Sequence, residues 1–315
     1  LRDGKVMETG MLAYYRNTTK ARLNNRFSYK TYWQPLEAFV GKPKLLFFSP
    51  DGAYNQLNVE SLLNPTTGRY VIEDLDIALI ANTKDLLQRG KQVQNPNKNI
   101  TLFGNPDYYE QKVARPKVAS LPGTQVEVES IRGLFEKQGY QISYYTEAKA
   151  SENNVKETNS PKILHIATHG FFAPNLRPNS DIGDNSILQN PLMKSGLLFA
   201  SAGDIFESAE ASLNYQEGVL TAYEAMNMNL EQTDLVILSA CETGVGEVQI
   251  GEGVFGLQRA FQIAGAKTIV MSLFKVNDEV TQKLMVAFYG NLLSGDNKRT
   301  AFHKAKMEIK QSYKE

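Results

Sequence analysis

The sequence is poor in chemically versatile side chains: 315 residues carry one cysteine, one tryptophan and three histidines. One thiol cannot close an internal disulfide, so a disulfide-stapled scaffold is excluded and a reducing, cytoplasmic setting is expected. Net charge is missing as well. Thirty-four Lys and Arg stand against 34 Asp and Glu, so nothing asks for nucleic acid or an anionic membrane as a partner. No apolar run approaches the roughly 20 residues of a membrane helix, and no signal-like segment opens the chain. The sequence starts at Leu1 and ends in the helix-like KMEIKQSYKE, so a piece of a longer polypeptide is expected. Repeats and low-complexity tracts are also lacking.

What is present is an ordinary globular balance, 42% hydrophobic and 22% charged. Strand-like and helix-like segments alternate. KLLFFSPDG, KNITLFGNP and YQISYYTE read as strands, and YVIEDLDIALI as two strands joined tightly. TQVEVESIRGLFEKQG reads as a helix with Val126, Ile131, Leu134 and Phe135 on one face. PKILHIATHG and TDLVILSAC are continuous apolar runs, as expected of central parallel strands covered on both faces. GVFGLQRAFQIAGA, DEVTQKLMVAFYGNLLSG and RTAFHKAKMEIKQSY read as helices around the strand KTIVMSLF. The alternation predicts an α/β sandwich with a mostly parallel sheet, whose sites lie at the carboxyl ends of strands. A polar stretch from Phe172 to about Asn214 reads as an insertion between two of these strands, the kind of long loop that borders a site.

Both central apolar runs end on reactive side chains. One stops at His169-Gly170 and the other at Cys241, followed by the polar turn ETGVGE. A free cysteine in a strand is by default a small buried hydrophobe. A cysteine that ends its strand beside a polar turn fits a nucleophile, which needs partial exposure and a base within hydrogen-bond reach. His169 is the candidate base, and a separation of 72 positions is no obstacle because such pairs meet in space. Gly170, with no Cβ, lets a substrate approach closely, and its N–H can hold a developing oxyanion. His165 completes an H-x-x-x-H pattern, but four strand residues span about 13 Å, so zinc is not expected and a buried or supporting role is. His303 is expected to be solvated. No metal or cofactor is called for. One rival motif, GEGVFG from Gly251 to Gly256, matches a dinucleotide fingerprint. It follows its strand too late, so glycines that let a loop and a helix pack beside the cysteine are preferred to a dinucleotide site.

The segments HIATHGFF, GVLTAYEAMNMNLEQTDLVILSACETGVGEV, GEGVFGLQRAFQIAGAKTIVMSLFKVND and LMVAFYGNLLSG resemble the CHAT domain, a caspase- and separase-related cysteine peptidase module. The resemblance runs from about Tyr32 to the end, although Phe274 stands where the family usually has Trp. It implies a caspase-like three-layer sandwich with an N-terminal pseudo-protease-like subdomain. The boundaries expected are 1–115 for that subdomain with its helical lead-in, and 116–315 for the catalytic part with the insertion at about 172–214. It further implies a His169–Cys241 dyad and an oxyanion hole from the amides of Gly170 and Cys241. SLFKVND is similar to a separase segment whose acidic residue receives an arginine. On that likeness Asp278, with Glu252, Glu247 and Ser239, forms the substrate-binding set, and hydrolysis follows Arg or Lys. The rival role for Asp278 is capping of the helix it opens. The implied partners are a protein substrate and an upstream tetratricopeptide-like helical region or regulatory partner. The alternatives are a catalytically silent interaction module of the same fold and, second, a dinucleotide-binding domain through GEGVFG.

Overall fold

The computed structural model describes residues 7–88, 96–111, 113–114, 116–172, 191–193, 195–207, 218–241, 255–272 and 277–313. The chain divides into two compact units. One comprises residues 1–94 with 297–315, the other residues 95–296.

The first unit contains helices α1 (Leu12–Lys20) and α2 (Gln34–Val40), a parallel strand pair, β1 (Leu45–Phe48) and β2 (Asp76–Leu79), and a helical turn α3 (Val71–Asp74). Its core gathers Tyr15, Tyr32, Trp33 and Leu62, all buried. The YVIEDLDIALI segment is therefore one turn of helix and one strand rather than two strands. The Glu73 carboxylate takes the Tyr70 N–H at 2.7 Å, and that helix-start bond overrides the apolar pattern. The C-terminal helix (Lys298–Ser312) belongs to this unit and buries Ala301 and Ala305. Ion pairs from Arg299 to Asp76, Lys306 to Glu60 and Lys310 to Glu73 tie it there. His303, expected to be solvated, is instead half-buried on this helix, and its Nδ1 has no hydrogen-bond partner.

The second unit is a mixed α/β layer structure around a seven-stranded, mostly parallel sheet. Its strands are β3 (Asn99–Pro106), β4 (Gln141–Glu147), β5 (Ile163–Phe172), β6 (Ser195–Leu198), β7 (Val219–Thr221), β8 (Leu235–Cys241) and β9 (Ile269–Met271). The parallel part runs β4-β3-β5-β8-β9. Beyond His169, β5 continues into an antiparallel ribbon with β6 and β7. Part of the segment expected as an insertion is thus a buried strand that extends the sheet. Its residues 173–190, 194 and 208–214 lie outside the described residues.

Alternation along β5 explains how both faces are covered. Leu164 and Ile166 join a core with Leu257 and Phe261 of helix α8 (Phe255–Ile263). On the opposite face, His165 meets Glu127 of α4 (Pro122–Glu136) and Tyr289 of α9 (Asp278–Leu293). Each buried Leu or Phe on these faces contributes about 1.5–3 kcal/mol. The buried stripe of α4 is Thr124, Glu127, Val128, Ile131 and Phe135. Val126, expected inside, is 49% exposed. Gly104 of β3 sets how closely α4 lies on the sheet. A Cβ there would stand 2.8 Å from both Val128 methyls and 3.0 Å from the Thr124 carbonyl. Because β3 leads to β4 on one side and β5 lies on its other side, the chain reverses direction across the sheet between β3 and β5. Crevices form at the carboxyl ends of strands at such a switch point.

Candidate active site

The register of β5 on β8 pairs Ile163 with Leu235 and, six positions on, His169 with Cys241. Two residues 72 positions apart in sequence are thereby Cα partners on adjacent parallel strands, both at the carboxyl end. The neighbouring Gly170 is the register partner of Leu197 on β6. Glu247 and Glu252, and residues 251–254 of the GEGVFG motif, lie outside the described residues. Gly256 of that motif is the second residue of α8, and a Cβ on it would collide with the Ser195 hydroxyl, so this glycine serves helix-to-strand packing.

The segment that follows β3 holds His169. Its Nε2 is 2.8 Å from the Ala119 carbonyl, an atom that can only accept. The proton of the neutral ring therefore sits on Nε2, and Nδ1 is the basic nitrogen. The Tyr108 ring packs against the imidazole, centroids 5.2 Å apart at 43°. The Tyr108 hydroxyl also accepts from the His169 N–H at 3.3 Å and bonds Thr168 Oγ1 at 2.8 Å. Thr168 Oγ1 in turn donates to the Leu198 carbonyl. That last bond fixes the direction of the whole run: His169 N–H to Tyr108, Tyr108 O–H to Thr168, Thr168 O–H to Leu198. Tyr108 and Thr168 are 3% and 1% exposed.

Beneath the strand ends on the α4/α9 side lies a shallow crevice with room for about one water molecule, walled by Leu121, Thr124, Glu127, Thr168, Ser239, Ala240, Asp278 and Thr281. Ser239 and Asp278, expected together in substrate binding, both line it. Asp278 is exposed and sits over the Gly123 backbone, where a Cβ on the glycine would be 2.9 Å from the Asp278 Cβ. The helix-capping role is filled by its neighbour: Asn277 accepts the Val280 N–H at 3.1 Å. Glu127, Tyr108, Thr168 and the Ala119 carbonyl were not legible as site residues from the sequence. A glutamate on the buried stripe of an amphipathic helix was the one available signal for Glu127.

The family model of the CHAT domain matches residues 28–315. The chain belongs to the CHAT domain family. CHAT domains form a caspase-like family related to cysteine peptidases. Among curated proteins, this CHAT chain is similar to tetratricopeptide repeat protein 28 of Homo sapiens, 22% identical over 87% of this chain and 11% of that protein. The Mus musculus protein of the same name is 27% identical over 68% of this chain and 9% of that protein. The chain thus spans about a tenth of the length of the curated relatives it matches. A crystal structure of a Geobacter sulfurreducens protein overlaps 66% of this chain and 87% of its own at 14% identity and TM-score 0.34. Among the described residues no helix of this CHAT domain is long and apolar enough to cross a membrane.

Proposed function

We propose that the chain is a cysteine endopeptidase in which Cys241 is the nucleophile and His169 its base, cutting after Arg or Lys. The observation that carries this reading is the pairing of His169 with Cys241 at the carboxyl ends of β5 and β8. The Ala119 carbonyl adds support, because it commits Nε2 and leaves Nδ1 to act. In the first half-reaction the thiol proton passes to Nδ1 as sulfur attacks the scissile carbonyl carbon. The carbonyl electron pair moves to oxygen, where the amides of Gly170 and Cys241 hold it. Collapse re-forms the carbonyl and breaks the C–N bond, and the amine leaves with the Nδ1 proton. A water then gives a proton to Nδ1 and adds to the thioester. Collapse releases the carboxylic acid and the thiolate, which takes the proton back. The imidazolium formed in each half is stabilised by its charged Nε2–H bond to Ala119.

The anionic residue Asp278 at the pocket mouth supports a basic side chain before the cut. A thiol of this kind works reduced, so a cytoplasmic site of action is part of the reading. The tetratricopeptide repeat relatives support an upstream helical-repeat region or regulatory partner, with residues 1–115 as a pseudo-protease-like part. The same relatives fit a catalytically silent interaction module. Labelling with an irreversible arginine-bearing cysteine-peptidase probe, with Cys241→Ala as control, separates the two readings: the silent module takes up no probe.

A further inference from the structure

Resting on that reading, we propose that helix α4 is the gauge that sets His169 and Cys241 against each other, with Glu127 as the positioning residue for the cysteine strand. Two residues before the strand ends, Gly104, Ala167 and Ser239 are register partners across β3, β5 and β8. All three are small, which lets α4 come close. Glu127, 2% exposed, reaches from α4 to two of these strands. Its Oε2 accepts the hydroxyl of Ser239 on β8 at 3.0 Å. Its Oε1 pairs with Nε2 of His165 on β5 at 3.1 Å, and the other His165 nitrogen lies 3.1 Å from the Tyr289 hydroxyl. Every one of these partners is buried. Ser239 is the one polar residue of LVILSAC ahead of Cys241, and its hydroxyl goes to α4. The rival role, a plain partner for His165, uses Oε1 alone and leaves the Ser239 bond unexplained.

The same helix holds the other strand ends. Thr124 accepts the Asn105 N–H at 2.9 Å, at the end of β3, and donates to the Leu121 carbonyl at 2.7 Å. That second bond ties the lead-in of α4 to its first turn. Two residues before Leu121, the Ala119 carbonyl meets His169 Nε2 at 2.8 Å. One element thus touches β3 at Asn105, β5 at His169 and His165, and β8 at Ser239. The backbone ladder fixes which residue of β5 faces which of β8. The bonds from α4 fix how the two ends stand to each other, and a bond to a carboxylate is among the stronger ones. Proton transfer needs donor and base within about 2.6–3.2 Å, so a small slip of either strand end slows it.

Cys241 is the one cysteine of the 315 residues, so alkylation of the chain by iodoacetamide reads this thiol alone. A thiol paired with an imidazole gives a rate-against-pH inflection below the roughly 8.5 of a free cysteine. The wild-type chain is expected to show such an inflection, and His169→Ala to lose it. Ser239→Ala removes the tie to α4 and leaves every charge in place. Its inflection should move up toward about 8.5. Labelling by a peptidyl acyloxymethyl ketone bearing arginine should slow roughly ten- to hundredfold, the scale of a misplacement of about 1 Å. Glu127→Gln keeps an acceptor for Ser239 and should restore both readouts to near wild-type values. Loss of the negative charge alone would instead lower the inflection. A folded Ser239→Ala with the wild-type inflection and rate makes the bond merely structural and overturns the proposal. So does a Glu127→Gln variant that slows as much as Ser239→Ala, because the charge and not the tie would then matter. Should Ser239→Ala not fold, Glu127→Asp keeps the charge and withdraws the carboxylate by one methylene; it should raise the inflection and slow labelling, and unchanged values overturn the proposal. A wild-type inflection near 8.5 that His169→Ala does not move brings down the peptidase reading and this proposal with it.

Discussion

Replacing Tyr108 with Phe keeps the ring against His169 and removes one oxygen from a buried run of hydrogen bonds. Two bonds vanish: the one accepted from the His169 N–H and the one donated to Thr168. At about 1 kcal/mol net each, Tyr108→Phe should lower unfolding free energy by about 2 kcal/mol, nearer 3 where the orphaned N–H gains no water. Thr168→Val is nearly isosteric and also removes two bonds, the one from Tyr108 and the one to Leu198, so it should cost a similar amount, about 2 kcal/mol. The Tyr108–Thr168 bond is common to both losses. The double variant should therefore be less destabilised than the sum of the singles by about 1 kcal/mol, a coupling expected of residues in one network. Urea unfolding of the four proteins, with the slope unchanged across the set, measures it. Additivity within about 0.3 kcal/mol would show that the run does not act as a unit and that the turn holding His169 is stabilised by something else.

Other expectations are smaller in scope. Asn277→Ala should cost about 1 kcal/mol through loss of the α9 cap, while Asp278→Asn should cost less stability and cut arginine-probe labelling; a reversal of that pattern in paired melting and labelling assays returns Asp278 to a purely structural role. Gly218 has φ +89°, and a Cβ there would stand 2.5 Å from the Ala202 nitrogen and 2.6 Å from the Ala200 carbonyl oxygen, so Gly218→Ala should destabilise by at least about 2 kcal/mol; melting within a degree of wild type contradicts this. His303 has its pKa pushed down, first by burial and then by Lys306, with Glu60 opposing and Arg299 adding. The folded state thus prefers neutral imidazole, the unfolded chain takes the proton as pH falls below about 6.5, and stability should drop from there through the folded value. His303→Gln should flatten the dependence of melting temperature on pH between 7 and 5, and an unchanged slope refutes the assignment.

The parallel sheet was legible because β5 and β8 are unbroken apolar runs, a pattern only doubly covered strands sustain. The two strand ends that carry the candidate residues were legible for the same reason: the runs stop abruptly at His169-Gly170 and at Cys241. Register was not, since no local pattern reveals which residue of one parallel strand faces which residue of the next. Val126 was misread because it sits one step off the true buried stripe, where Glu127 replaces an apolar residue and hides the period. Placement of the C-terminal helix depends on ion pairs such as Lys306–Glu60, between residues 246 positions apart, which carry no sequence signal. The strand β6 was hidden inside a segment whose Asn, Asp, Pro and Ser content reads as loop. Its four residues SGLL are too short and mixed to stand out.

The central claim is that Cys241 is a nucleophile activated by His169, and peptide mapping after treatment with the arginine acyloxymethyl ketone tests it most directly. The account predicts a thioether on Cys241 in the wild-type chain, none in Cys241→Ala, and labelling slowed at least a hundredfold in a folded His169→Ala, the scale of general-base assistance. Modification of His169→Ala at the wild-type rate would contradict the proposal, because the thiol would then react without His169 as its base.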